Sequence, residues 1–159
     1  MNDRLRLLSG NALLVLDGTD GRETLFRATD LFRYIDPNFK QWDCETSSPP
    51  HERIAVQVYE MVRDSTFSEM FGGFGVAFDS VALTQAQIKQ FARLYPNWLK
   101  GGGNGTFFLF NGGIEYLVAA IYYFSDGRLG IRLRRLKLDR SFRAQKGHRL
   151  VSRAIGVAT

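Results

Sequence analysis

Hydrophobic positions are densest between Thr106 and Leu138, where three apolar-rich runs follow one another. The runs are separated by Gly112-Gly113 and by Ser125-Asp126-Gly127. Gly-Gly and Asp-Gly supply the positive φ that primed hairpin turns need, and such turns match the twist of paired strands. The pattern therefore predicts a C-terminal three-stranded antiparallel meander.

The second run, residues 114–124, is apolar on both of its alternating faces. One face is expected to start at Ile114 and to end at Phe124. A strand that is covered on both faces usually lies inside a sheet. We therefore expect this run to be the central strand of the meander.

The third run, residues 128–138, begins with a clean alternation of apolar residues and arginines. The phase then changes, because Leu136 and Leu138 share the parity of the arginines. A β-bulge at Arg134-Arg135 would return both leucines to the core face. The bulge would also place three cations on one outer face: Arg132, Arg135 and Lys137.

Two capping-box pairs predict helices before the meander. Thr66 with Glu69 begins a short helix that ends at Gly72-Gly73, and Thr84 with Gln87 begins the main helix, about 84–95. The main helix has one apolar face. We expect its Phe91 and Tyr95 to meet Phe108, Phe110 or the second strand of the meander.

The N-terminal half has weaker patterns. Residues 11–17 predict a short strand, 18–21 a turn and 22–27 a returning strand. Thr29 or Asp30 would cap a short helix through Tyr34, which Pro37 would close. Residues 53–63 fit both a strand and a helix, and their β-branched content favours the strand. The segment at 44–50 is a polar loop.

Together these elements predict an α+β fold. The sheet would be antiparallel, with four to five strands including the meander, and the main helix would pack on one face. The 159 residues suit a single domain spanning 1–159. The glycine-rich stretch 101–105 follows a helix and opens a strand, the reverse of a phosphate-binding loop, so it indicates a flexible connector or a lip over a binding surface.

Charge is distributed unevenly along the chain. Residues 1–125 carry 11 basic and 14 acidic side chains, whereas residues 126–159 carry 10 basic and 2 acidic ones. Such a basic segment suits phosphate contacts, although a solvated face that protects a sheet edge has the same composition. The tail 140–153 would be either a further strand or a loose arm. The candidate nucleic-acid-binding residues are Arg132, Arg134, Arg135, Lys137, Arg140, Arg143, Lys146 and Arg149.

The sequence gives little indication of a catalytic cysteine, a metal site or a membrane span. Cys44 lies near Asp43 and His51 in sequence, but a lone cysteine more often packs as an inert side chain. With one cysteine and two histidines, no metal-ligand spacing exists, and we predict no catalytic residue, metal or cofactor. No run is long enough to span a membrane, and the single cysteine favours a reducing cytoplasm.

Several segments resemble known proteins. LTQAQIKQFARLYPNWL, GTFFLF, YFSDGRLGIRLRRL and the HRLV tail resemble a set of small uncharacterised bacterial proteins, of the mobile-element orphan-open-reading-frame type. The likeness covers about residues 28–152 and implies no activity. Separately, FRATDLFRYIDPNFKQW resembles the N-terminal segment of phage-type KilA-N DNA-binding domains.

The sequence favours a binding protein over an enzyme, with nucleic acid as the partner of the basic C-terminal face. An acidic protein would suit the same face. Two alternatives stay open: a protein–protein or self-associating module, which would use the sheet edge or the aromatic surface at 122–124, and a small-molecule binder with a cleft between helix and sheet.

Overall fold

Strands form the centre of the structure, a computed structural model that describes residues 2–44 and 47–155. Three α-helices and three short 3-10 turns surround them. The strands are β1 (Leu5–Leu7), β2 (Leu14–Leu16), β3 (Phe32–Ile35), β4 (Ile54–Met61), β5 (Thr106–Asn111), β6 (Tyr116–Tyr123), β7 (Leu129–Arg135) and β8 (Arg149–Arg153). The helices are α1 (Asn38–Gln41), α2 (Phe67–Gly72) and α3 (Gln85–Leu94), and the 3-10 turns are Phe78–Ser80, Pro96–Trp98 and Ala144–Lys146.

The predicted meander is confirmed. β5 pairs antiparallel with β6, and β6 pairs antiparallel with β7, so β6 is the middle strand. Ala119 of β6 lies between Phe108 and Leu133 in the register of the two pairs. One detail of the prediction is wrong: β6 begins at Tyr116, and the Ile114 side chain is 96% exposed in the preceding turn.

The α+β class is confirmed, but a purely antiparallel sheet of four to five strands is wrong. All eight strands belong to one mixed sheet in the order β1-β4-β8-β5-β6-β7-β3, and β2 also pairs with β4. β5 runs parallel to β8, and β3 runs parallel to β7. Parallel neighbours come from distant segments without a shared turn, so no local turn signal announces them.

Both faces of the sheet are covered by apolar packing. On one face α3 packs against β5, with the Phe91 and Phe108 rings 5.5 Å apart, as predicted. On the other face α2 packs against β5, with the Phe67 and Phe107 rings 4.9 Å apart. The sheet therefore lies between two cores, and the prediction of a helix packed on one face accounts for only one of them.

The second core explains why the predicted bulge at Arg134-Arg135 is wrong. The pairing of β6 with β7 continues in unbroken register from Tyr123–Leu129 to Leu117–Arg135. Leu136 keeps the parity of Arg132 and Arg134, and it is buried in the core beneath α2. The change of phase in the sequence therefore reflects burial of Leu136 on the other face of the strand. The bulge that would place Arg135 and Lys137 on the face of Arg132 is absent.

Two N-terminal predictions are also wrong. Residues 22–27 form no strand, and residues 32–35 form β3 where a helix was predicted to end. β3 is preferred because Phe32 is buried beside Leu129 of β7. Pro37 begins α1 and does not close a helix, in keeping with the preference of proline for helix starts.

Several other local predictions are confirmed where the structure describes them, but residues 18–21 do not form the predicted turn, because Thr19 pairs with His51 in an antiparallel bridge. Residues 54–61 form a strand, β4, and the C-terminal tail contains a strand, β8, which lies between β4 and β5. Both capping boxes are present, at Thr66 for α2 and at Thr84 for α3. Of the predicted polar loop at 44–50, residues 45 and 46 lie outside the described residues. No helix in the described ranges has the length and apolarity needed to cross a membrane.

Candidate nucleic-acid interface

A concave basic surface lies where β6 and β7 meet the segment that follows β7. We call residues 137–148 the basic arm. A two-way backbone bridge anchors it: the Phe142 amide donates to the Ser65 carbonyl oxygen at 2.8 Å, and the Ser65 amide donates to the Phe142 carbonyl oxygen at 3.1 Å. The Ala144 amide also donates to the Asp64 carboxylate at 2.8 Å. These bonds hold the arm against the loop that leads into α2.

Three adjoining cavities form this surface, which we call the basic groove. The first, of about 220 Å³, is lined by Tyr122, Arg132, Arg134 and Phe142 among others. The second, of about 340 Å³, lies along the basic arm, and the third, of about 650 Å³, lies beside Trp42. Arg140 lines all three cavities, so they adjoin one another around its side chain.

The groove contains seven of the eight cations predicted as binding residues. They line one or more of the three cavities: Arg132, Arg134, Arg135, Lys137, Arg140, Arg143 and Lys146. Arg149 lies elsewhere. It is partly buried, and its guanidinium donates to the Trp98 carbonyl oxygen at 3.0 Å, which gives it a structural role.

Most of these cations have no ionic partner. Arg134 lies 3.8 Å from the buried Asp36 carboxylate, and Arg135 lies 2.7 Å from Glu115. For the other five, no carboxylate oxygen of the described residues lies within 4.0 Å: Arg132, Lys137, Arg140, Arg143 and Lys146. Their charge is therefore available to an incoming anion.

Aromatic rings accompany the arginines. The Arg132 guanidinium lies over Tyr122 at 5.4 Å from the ring centroid, and Arg140 lies over Phe142 at 5.3 Å. Arg135 lies over Trp42 at 4.2 Å. Each pair places a flat cation beside a half-buried ring, an arrangement that favours electrostatic attraction and also exposes planar surfaces for stacking.

The register of the meander creates the first of these pairs. Tyr122 of β6 lies opposite Gly130 of β7, and Arg132 follows two residues later on the same face. A Cβ atom on Gly130 would lie 2.7 Å from the Tyr122 ring and 2.8 Å from the Phe124 ring. The glycine therefore lets both rings lie across its backbone.

His148 lies at the inner wall of the groove. Its ring stacks on Phe107 at 5.0 Å between centroids, and its Nδ1 accepts the Gly105 amide proton at 3.0 Å. Burial lowers the pKa of His148 most, and the positive charges of Arg140, Lys146 and Lys100 lower it further, against an opposing effect of the Gly105 backbone. The imidazole is consequently neutral at neutral pH.

The glycine-rich connector contributes to the same surface. Gly102 and Gly103 have φ of +74° and +80°, a backbone region that disfavours other residues. Gly103 and Gly105 line the first cavity, and Asn104 lines the second. The interpretation of 101–105 as a lip beside a binding surface fits this position.

Sequence reasoning identified the cations but missed the residues that shape the groove around them, chiefly Phe142, Trp42 and His148. From the sequence, Tyr122 is predicted only as part of an aromatic surface for self-association. The turn predicted at residues 125–127 brings Tyr122 near Gly130, with which it pairs in the structure, so the sequence holds a signal for this contact. Trp42 and Phe142 reach the groove through contacts between distant segments, which no spacing in the sequence indicates.

Cys44 has the environment of a structural thiol. It is fully buried, and its Sγ donates to the Trp42 carbonyl oxygen at 3.3 Å. Burial, with smaller effects of Asp43 and Glu115, raises the pKa of the thiol against the effect of Arg135. A raised pKa disfavours the thiolate that nucleophilic chemistry requires. In the described ranges no three His, Cys, Asp or Glu side chains converge as metal ligands.

No protein-family model, curated protein or solved structure matches the chain. The resemblances to small bacterial proteins and to the KilA-N segment stay predictions.

Proposed function

We propose that the protein binds nucleic acid, in particular single strands, along the basic groove. The observation that carries the proposal is the combination of unpaired cations with half-buried aromatic rings around three adjoining cavities. Among the described lining residues of these cavities, Asp139 is the one carboxylate. The groove is therefore strongly positive.

The two kinds of side chain would contact different parts of the ligand. Arg132, Arg140, Arg143 and Lys146 would neutralise phosphates, a contribution that is independent of sequence and sensitive to salt. The rings of Tyr122 and Phe142 and the planar guanidinium groups above them would stack on unpaired bases. A duplex keeps its bases stacked on one another, so it would use only the cations and bind more weakly.

Fluorescence anisotropy with labelled single-stranded RNA, single-stranded DNA and a duplex would test the proposal. We expect single strands to bind more tightly than the duplex. The logarithm of the association constant should fall with the logarithm of salt concentration by about 0.7 per phosphate contacted. Reversal of Arg132, Arg140 and Arg143 to Glu should weaken binding by about 100-fold or more and reduce this salt dependence.

A second triple variant provides the matched control. Arg22, Arg27 and Arg53 are exposed and lie outside the groove, so their reversal to Glu changes the net charge equally. This variant should lose much less affinity than the groove variant. Equal loss in both would mean that net charge alone drives binding and would contradict a specific site, as would an absence of binding at low salt. Binding of polyglutamate in place of nucleic acid would favour an acidic protein partner.

A further inference from the structure

The first cavity of the basic groove, of about 220 Å³, lies against Ala120 of β6. In the register of the meander, Ala120 is flanked by Phe107 of β5 and Arg132 of β7. Its neighbours on the same face of its own strand are Val118 and Tyr122. All four neighbours are larger than alanine, so the surface of the sheet dips at Ala120 and leaves space for a ligand.

The Phe142 ring forms a fixed wall of this cavity. Its centroid lies 4.6 Å from that of Phe67 and 5.1 Å from that of Phe107, and its backbone is bridged to Ser65. Phe142 is only half-buried, as is Tyr122, which also lines the cavity. A ring that is held by its neighbours and is still accessible can stack on a ligand with little loss of conformational freedom.

The size of the cavity limits what can enter it. Pockets for drug-sized ligands have volumes of about 300–1,000 Å³, so a cavity of about 220 Å³ suits one flat ring system and not a whole nucleotide. Single strands are recognised through unstacked bases that are splayed out onto aromatic side chains. A strand in the groove would therefore place one base in this cavity and leave its sugar and phosphates outside.

The polar side chains that line the cavity are chiefly hydrogen-bond donors. They are the guanidinium groups of Arg132, Arg134 and Arg140, which cannot accept, and the Tyr122 hydroxyl, which can do both. Within the described part of the chain, no carboxylate or amide side chain lines it. Such a cavity matches a base edge with two adjacent acceptors. Guanine presents O6 and N7 together, whereas adenine presents N7 beside an amino group, which is a donor.

Arg132 is the best placed of the three arginines. Arg134 already donates to a carbonyl oxygen of its own strand at 3.2 Å and lies 3.8 Å from the Asp36 carboxylate. Arg140 belongs to the basic arm and lines all three cavities. Arg132 pairs directly with Ala120 in the register, and its side chain is exposed. Its guanidinium is therefore beside the dip and open to a ligand.

We propose that this cavity takes one guanine base of a bound single strand, stacked on the aromatic wall, with Arg132 donating to O6 and N7. This base preference rests on the proposed nucleic-acid binding and adds specificity to it. Because Ala120 leaves the space and Arg132 supplies paired donors, the preference depends on these two residues and not on the net charge of the groove.

Fluorescence anisotropy with labelled oligothymidylate strands that carry one central purine tests the proposal on the natural chain. Guanine and hypoxanthine both present O6 and N7, adenine has an amino group in place of O6, and 7-deazaguanine has no N7 acceptor. We expect the strands with guanine and with hypoxanthine to bind about tenfold more tightly than the other two. Equal affinity for guanine and adenine, or for guanine and 7-deazaguanine, would overturn the proposal, as would tighter binding of a strand with cytosine at the same position.

Variants locate the preference, measured for each one as the ratio of its affinities for the guanine and adenine strands. Ala120→Leu fills the cavity at a half-buried position, and Arg132→Lys keeps the charge but loses the guanidinium fork. Each should bring the ratio close to one. Ala120→Ser, which adds little volume, and Arg27→Lys, at an exposed cation outside the groove, are the matched controls and should keep the ratio. A ratio that survives both Ala120→Leu and Arg132→Lys would contradict this cavity as the site.

Two outcomes distinguish the guanine pocket from nucleic-acid binding in general. Single strands that bind without discrimination between the purines would overturn the guanine pocket alone. An absence of binding at low salt would overturn both proposals. If Ala120→Leu does not fold, as its thermal unfolding would show, Arg132→Lys and the 7-deazaguanine comparison still decide the outcome.

Discussion

At the scale of single residues, the groove depends on a few precise juxtapositions. Gly130 leaves room for the Tyr122 ring, and Arg132 then covers that ring from the same strand. His148 fills the space between Phe107 and Phe142, at 5.0 and 5.5 Å from their ring centroids. The lowered pKa of this histidine favours the uncharged ring, which packs among aromatic rings while Arg140, Lys146 and Lys100 lie around it.

The protonation of His148 leads to a pH prediction. Its folded-state pKa is lowered, chiefly by burial, from an unfolded value of about 6.5. Between the lowered pKa and about 6.5 the unfolded chain binds more protons than the folded one, so the free energy of unfolding rises with pH in this window. The contribution is complete above the unfolded pKa and is lost as pH falls through the window. Urea unfolding between about pH 5 and 7.5 measures it.

His148→Asn removes this contribution while its Oδ1 can still accept the Gly105 amide proton. The variant should therefore lose stability less steeply than the natural chain as pH falls through the window. His51→Gln is the matched control and should retain the natural slope. An unchanged slope in His148→Asn would show that other groups cause the pH dependence.

At the scale of elements, the sheet is stabilised from both sides. α3 contributes Ile88 and Phe91 to one core, and α2 contributes Met70 and Phe71 to the other. Both helices begin with a capping box that satisfies free amide groups at their starts. The short helix α2 is too small to be stable alone, so its six residues depend on burial against β5 and β8.

The two cores should contribute comparably to stability. Met70→Ala in α2 and Ile88→Ala in α3 each truncate a fully buried side chain, and each should cost about 2–5 kcal/mol in the free energy of unfolding. Denaturant unfolding measures both. If Met70→Ala costs less than about 1 kcal/mol, α2 covers the sheet without forming a real second core.

At the scale of the whole molecule, the basic arm is connected at both ends to strands of the sheet. The basic arm lies between β7 and β8, and β8 enters the sheet between β4 and β5. The interpretation of the tail as a loose arm is therefore wrong for residues 149–153. Self-association stays a prediction: Tyr122 and Phe124, the aromatic residues considered for it, are half-buried beside Arg132 and Arg33.

The central position of β8 predicts the result of truncation. A chain that ends at His148 loses the strand that joins β4 to β5, along with the buried Leu150 and Val151. It should lack both the dispersed amide spectrum and the cooperative thermal unfolding of the full chain. A truncated chain that kept both would show that the sheet closes without β8.

The sequence by itself determined the local structure: the meander, both capping boxes and the strand at 54–61 follow from turn residues, side-chain caps and alternation, which act within a few residues. The basic character of residues 126–159 also follows from the sequence alone. The tertiary structure decided the parallel pairings, the second core that places Leu136 on the face of the arginines, and the meeting of Phe142 and Trp42 with these cations. Each of these depends on contacts between segments far apart in the chain, whose gain in buried surface no local pattern encodes.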